Sequence, residues 1–248
     1  MNQPFRWKNC YSDVLSNRNG EMAMGYIKDV VEPSLSKLEA HIREMSERHD
    51  DPAAVFGIGP ARELHRATLM GYCLALQSLW EKQFRAYLEG CPRDLKSDPQ
   101  VGATIEKATW KQLDSIFEKL RGVPLTAFDE YTRLNLLQLL GNVCRHGGGP
   151  SLHRLAIEHP ELWAHEEKPE LAIPPPPRPL VEPARTVAGL QISIALLTSL
   201  AAAVDGFWRE TEYIYNESIE RKADSLEARL VEERRRRAGR GRRWDPPA

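Results

Sequence analysis

The stretch ARELHRATLMGYCLALQSLWEKQFRAYL, residues 61–88, decides the fold class. Leu64, Leu69, Tyr72, Cys73, Leu76, Leu79, Trp80, Phe84, Tyr87 and Leu88 fall at helical spacing, not at the alternation of a strand. The apolar face they form is broad, as expected of a central helix packed on several sides. Gly90, Cys91 and Pro92 mark its expected end.

The flanking segments read the same way. Toward the N-terminus, Met24, Ile27, Val30, Val31, Leu35, Leu38, Ile42 and Met45 make one stripe over Glu21 to Arg48. Pro33 lies inside that stretch and is expected to kink or split it. His49 to Pro52, then Gly57, Gly59 and Pro60, predict a loop before the central helix. Beyond it, Ile105 to Leu120 and Phe128 to His146 are each predicted amphipathic helices. Gly147 is placed to end the second in the left-handed cap position, and Ser151 to cap a short turn over Leu152 to Ile157.

Residues 166–186 are a Pro-rich linker, with Pro174 to Pro177 expected in polyproline II. Val187 to Ile192 reads as a short extended stretch. Ser193 is placed to cap a last helix reaching about Arg237. Its first half is apolar through Leu196, Leu197, Leu200, Val204, Phe207 and Trp208. Its second half is charged and expected to project from the body or pair with another chain. The expected architecture is an all-α bundle of four to five main helices. Its core spans 1–165, the linker 166–186, a last core helix 187–228 and a basic tail 229–248.

Composition excludes several classes. The chain has 248 residues, 42% of them hydrophobic and 28% charged, as in an ordinary globular protein. No apolar run approaches the ~20 residues of a membrane-spanning helix. The opening MNQPFRWKNCYSD lacks the basic-then-apolar layout of a signal peptide, so a cytoplasmic chain without membrane contact is expected. Cys10, Cys73, Cys91 and Cys144 are scattered, with no CxxC pair, and read as reduced thiols. The histidines form no HxxxH or HExxH pair, so neither metal nor other cofactor is expected.

The net charge of −1 hides an asymmetry. Residues 229–248 carry eight arginines against three carboxylates, a net +5, which leaves −6 for the rest. A body that is mildly acidic is not that of a dedicated duplex-DNA reader. Arg234, Arg235, Arg236, Arg237 and Arg240 are candidates for holding a phosphate backbone without sequence preference; the alternative is a solvated helix end.

The sharpest local feature is GNVCRHGGGPS, residues 141–151. Asn142 and His146 are four apart and share one helix face. His146 falls in the last turn, where the helix dipole favours a protonated imidazole. A histidine beside an amide, next to glycines that admit a close neighbour, suits general acid/base chemistry. Alternatively, both side chains simply satisfy the last carbonyls of the helix. The triple glycine is not a P-loop, because it ends a helix and no Lys-Ser/Thr follows.

The stretch NLLQLLGNVCRHGGGPSLHRL, following a helix with SLWEKQFRAYL, resembles the HEPN superfamily. It is most similar to the bacterial branch whose motif reads Asn-x-x-(Lys/Arg)-His-Gly-x-Gly. ISIALLTSLAAAVDGFW resembles the last core helix of such proteins, and the likeness covers roughly residues 60–215. The resemblance implies a helical bundle that forms a homodimer. It also implies a metal-independent endoribonuclease working in a toxin–antitoxin or phage-defence setting, with RNA as substrate and a cognate antitoxin or defence partner. On the family's pattern His146 matches the catalytic histidine and Asn142 its polar residue. The family's arginine falls on Gly141, which cannot bind a phosphate. Arg145 is adjacent to His146 but about 100° around the helix. Arg85, with Glu81 one turn before it, is expected to face Asn142 and His146 as a substitute. A purely structural polar network is the other reading of that cluster. A non-catalytic dimeric protein engaging RNA or a protein partner is the alternative function.

Overall fold

The computed structural model describes residues 10–14, 16–48, 50–95, 104–163 and 185–237. It is an all-α helical bundle, with no strand among the described residues. We label the helices α1 (Ser16–Gly25), α2 (Glu32–Glu47), α3 (Pro52–Leu95), α4 (Trp110–Arg121), α5 (Tyr131–His146), α6 (Pro150–Glu158), α7 (Ile194–Glu217) and α8 (Asp224–Arg237). None of the described helices is long and apolar enough to cross a membrane. Two compact units share the chain: Met1–Tyr26 with Leu79–Leu134 and Leu200–Ala248, and Ile27–Ser78 with Asn135–Ser199. The first is called here the aromatic unit and the second the glutamine unit.

The aromatic unit is built on ring packing. Trp80 and Phe84 of α3 stack with centroids 5.2 Å apart. Phe207 and Trp208 of α7 meet Trp80 edge-on at 5.0 and 5.6 Å. Phe117 of α4 and Phe128 complete the cluster. Edge-to-face pairs at this range add to the burial of the rings themselves. Beside the cluster lies a fully buried ion pair. Arg121, at the end of α4, donates to both carboxylate oxygens of Asp13 at 2.8 and 3.1 Å, and both side chains have no exposed surface. The Tyr87 hydroxyl and the Cys10 backbone N–H also donate to that carboxylate, at 2.8 and 3.1 Å.

Several helix boundaries differ from the sequence expectation. The loop expected through Gly57, Gly59 and Pro60 is helix: α3 begins at Pro52. Pro52 at the first position loses no hydrogen bond, since its N–H would be unpaired there anyway. Gly57 faces the end of the Met45 side chain on α2, 2.1 Å from where a Cβ would lie. The stretch around Pro33 is divided, as its sequence predicts, into α1 and α2. A π-helical segment, Tyr26–Val31, lies between them, and Pro33 lies in the first turn of α2. The missing Pro33 N–H would otherwise have bonded Asp29, and the widened turn absorbs that loss. The helix expected from Ile105 is interrupted: 104–105 are helical, a turn follows, and α4 starts at Trp110, where Thr109 and Gln112 form a capping box. Gly149, not Ser151, caps α6, with Pro150 at its first position. Val187–Gly189 is a 3₁₀ turn, after which the chain is extended. The Ser193 cap is present, its hydroxyl accepting from the Leu196 N–H at 3.1 Å.

The largest difference concerns the last helix. It is two helices, and the second does not project. α7 ends at Glu217, where Lys222 donates to the carbonyls of Glu217 and Ile219 at 2.9 and 2.8 Å. α8 then lies against α7. Arg234 holds Glu217 with two bonds of 2.6 and 2.7 Å and reaches Glu227 at 2.7 Å. Arg237 bonds Glu210 and Glu233 and lies 3.9 Å over the Tyr213 ring. Burial, with the Glu217 carboxylate beside it, pushes the Tyr213 hydroxyl up to about 12.

The Pro-rich linker lies almost entirely outside the described residues, but its two ends are fixed within the glutamine unit. The Trp163 indole N–H donates to the Thr186 carbonyl at 2.7 Å. The Gln191 N–H donates to the Leu162 carbonyl at 2.8 Å.

Candidate functional site

α5 carries the motif residues. Its apolar positions Leu136, Leu137, Leu139, Leu140 and Val143 are buried, which turns the other face of its last turns outward. His146 and Arg145 are exposed and Asn142 is half-buried. The helix stops as its sequence predicts. Gly147 adopts φ +78° and donates to the Val143 carbonyl at 2.8 Å. That left-handed cap favours glycine. Gly148 donates to the His146 carbonyl at 2.9 Å, so backbone, and not the imidazole, closes this end.

A buried glutamine pair runs beneath the motif. The Gln77 amide on α3 donates to Gln138 Oε1 at 3.0 Å. Arg145 Nη2 donates to Gln77 Oε1 at 3.1 Å. Gln77 has no exposed surface and Gln138 is 7% exposed. A buried amide must be hydrogen-bonded to be tolerated, so this chain fixes where Arg145 leaves the helix. Cys144 shares a hydrogen bond with the buried Cys73, and that bond, with burial, holds the Cys73 thiol well above its ordinary range.

The same glutamine fills the space beside Gly141. A Cβ on Gly141 would lie 2.4 Å from Gln77 Cγ and 2.7 Å from its Cβ. The space that a side chain at 141 would need is already filled by the stem of Gln77. Gly141→Ala is therefore expected to destabilise the protein by about 1–3 kcal/mol, the usual range for overpacking. Urea unfolding checks it. Gln77→Ala in the same chain should recover part of the loss, since the Cγ contact disappears while the Cβ contact stays.

Arg85 and Glu81, the substitute expected from sequence, are engaged with each other and with the turn before α4. They belong to the aromatic unit, whereas Asn142, Arg145 and His146 belong to the glutamine unit. Arg85 Nε and Nη2 bond Glu81 at 3.1 and 2.6 Å. The remaining N–H groups go to the carbonyls of Ala108 at 2.8 Å, Glu106 at 3.3 Å, and Ile105. Two of the five guanidinium donors are thus spent on Glu81 and three on the turn that precedes α4.

The arginine run is divided in the same manner. Arg234 and Arg237 are committed to carboxylates, as described above. Arg235 and Arg236 are 84% and 67% exposed, with carboxylates no closer than 3.7 and 3.5 Å. Arg240 lies outside the described residues. The two exposed arginines are adjacent and flanked by the two paired ones, so less of the run faces solvent than its charge suggests. Among the described residues no group of three or more His, Cys, Asp or Glu side chains is placed to hold a metal ion.

Sequence reasoning missed Gln77 and Gln138. The only signal was polar residues on otherwise apolar helix faces, which is a weak one. No family model matches the chain, and no curated protein or solved structure is detectably similar to it.

Proposed function

We propose that the exposed end of α5 is the working face of a HEPN-like, metal-independent endoribonuclease. The observation that carries this reading is the exposure of His146 and Arg145 together, beside a half-buried Asn142 and a fixed glycine turn. In this reading His146 takes the proton of an RNA 2′-hydroxyl as it attacks the adjacent phosphate. Asn142 orients the imidazole or a phosphate oxygen. Arg145, steered by Gln77, takes the role of the family's arginine and neutralises charge developing on the phosphate. The enzyme works as a homodimer in the cytoplasm, in a toxin–antitoxin or phage-defence setting, held in check by a cognate partner.

A second reading is a non-catalytic HEPN-like protein that binds RNA or a protein partner. The specific observation favouring it is that Gln77 occupies the space of the family's arginine side chain at Gly141. The two separate in one experiment. Wild type, His146→Ala and Arg145→Ala are incubated with an RNA pool in EDTA, and cleavage and binding are followed together. The ribonuclease reading expects cleavage by wild type that disappears in His146→Ala and weakens in Arg145→Ala. Binding without cleavage by wild type selects the second reading. Cleavage that persists in His146→Ala removes α5 from the chemistry.

A further inference from the structure

The four cysteines, scattered in sequence, are brought together two by two. Cys10 and Cys91 lie with sulfurs 3.5 Å apart in the aromatic unit, and Cys73 pairs with Cys144 in the glutamine unit. The first pair has the more complete surroundings. We infer that Cys10 and Cys91 are a thiol–disulfide couple, a modification site that small peroxides oxidise in the folded protein.

Geometry supports this in three ways. The sulfurs need to close by only about 1.5 Å to reach disulfide bonding distance. The approach is already fixed: Cys10 has an extended backbone at the head of the 3₁₀ turn Tyr11–Asp13, and that turn lies hard against α3. A Cβ on Gly90 would sit 2.0 Å from Ser12 Oγ, so the neighbour of Cys91 is a residue with no side chain to push Cys10 away. The third point is the charge. Arg121 Nη1 lies 3.2 Å from Cys10 Sγ and donates to it. A guanidinium aimed at sulfur stabilises thiolate, the reactive form. The hydrogen bond from Cys91 and the nearby Arg121 charge hold the Cys10 thiol below its ordinary range, although burial and Asp13 oppose them. Cys91 is held far above its own range by that same bond and by burial, and so keeps its proton.

These differences assign the roles. The Cys10 thiolate attacks one oxygen of hydrogen peroxide. An S–O bond forms, the O–O bond breaks, and hydroxide leaves to become water. Cys10 is then a sulfenic acid. The Cys91 sulfur attacks it, the S–O bond breaks as the S–S bond forms, and the departing hydroxide takes the Cys91 proton as a second water. Two thiols are oxidised and one peroxide is reduced. With Cys10 5% exposed and Cys91 not exposed at all, larger disulfide oxidants are excluded.

The test treats the folded full chain with hydrogen peroxide, alkylates the remaining thiols, and maps the digest by mass spectrometry without reduction. The expected result is a peptide pair joined through Cys10 and Cys91, about 2 Da lighter than the two thiols and restored by dithiothreitol. Cys91→Ser should instead leave Cys10 as a sulfenic acid that dimedone traps. The same treatment in urea is the reference, since an unfolded chain joins its cysteines without this preference. A Cys10–Cys91 link that forms no faster in the folded protein than in urea overturns the inference. So does a map showing only Cys73–Cys144, only links between chains, or no link. If Cys91→Ser does not fold, the wild-type map decides alone.

Discussion

Asp13→Ala is expected to lower stability by about 3–5 kcal/mol, because it leaves Arg121 charged and buried with its carboxylate gone. Both side chains are fully shielded from solvent, so water does not replace the lost partner. The alanine also strips the acceptor from the Tyr87 hydroxyl and the Cys10 N–H. Stabilities of whole domains are only about 5–15 kcal/mol, so this single change consumes a large share. The urea midpoint measures it. The informative comparison is Asp13→Ala with Arg121→Met added. Removing both charges should cost much less than the sum of the single changes, because no unpaired ion remains. A sum that is simply additive would show that the pair is not coupled in the folded protein.

Trp80→Ala is expected to cost about 3–5 kcal/mol, the range for truncating a buried aromatic to alanine. Trp80 has no exposed surface and touches Phe84, Trp110, Phe207 and Trp208. Those rings come from three helices, so the void has no single neighbour that can collapse into it. The contrast is Trp80→Phe. The indole N–H has no acceptor among the described residues, and phenylalanine removes that buried donor along with some volume. A cost under about 1.5 kcal/mol is expected, as for other near-conserving core swaps. Chemical unfolding of both variants checks the pair, and equal losses would contradict the ring-packing account.

Both sites show what the sequence can and cannot carry. The helical period over residues 61–88 and the cap at Gly147 were legible because they depend on neighbours three or four residues away. The α3 start was not, since Gly57 and Pro60 look like breakers unless Met45 is known to pack there. The end of α7 was equally hidden: no Gly or Pro stands at 218–223, and the stop is made by Lys222 reaching back to carbonyls. In the candidate site, the motif residues on α5 were readable as a local pattern. Gln77 was not, because its contact with Gly141 spans two helices. Some of Arg85's partners were hidden for a related reason. Its spacing from Glu81 predicts their ion pair, but nothing local predicts the carbonyls of 105, 106 and 108 as its other acceptors. Asp13 and Arg121 are the extreme case, separated by 108 residues. An arginine at a helix C-terminus normally reads as a solvated side chain placed to suit the dipole.

The bonds from Trp163 to Thr186 and from Gln191 to Leu162 bear on how the length of the chain between them can vary. Its two ends meet on one unit, so it closes a ring instead of bridging two bodies. Closing a longer ring is only slightly harder, by about 0.6 kcal/mol for each doubling of a flexible loop. The stretch can therefore gain or lose residues, or be cut, with little effect on the helices that flank it.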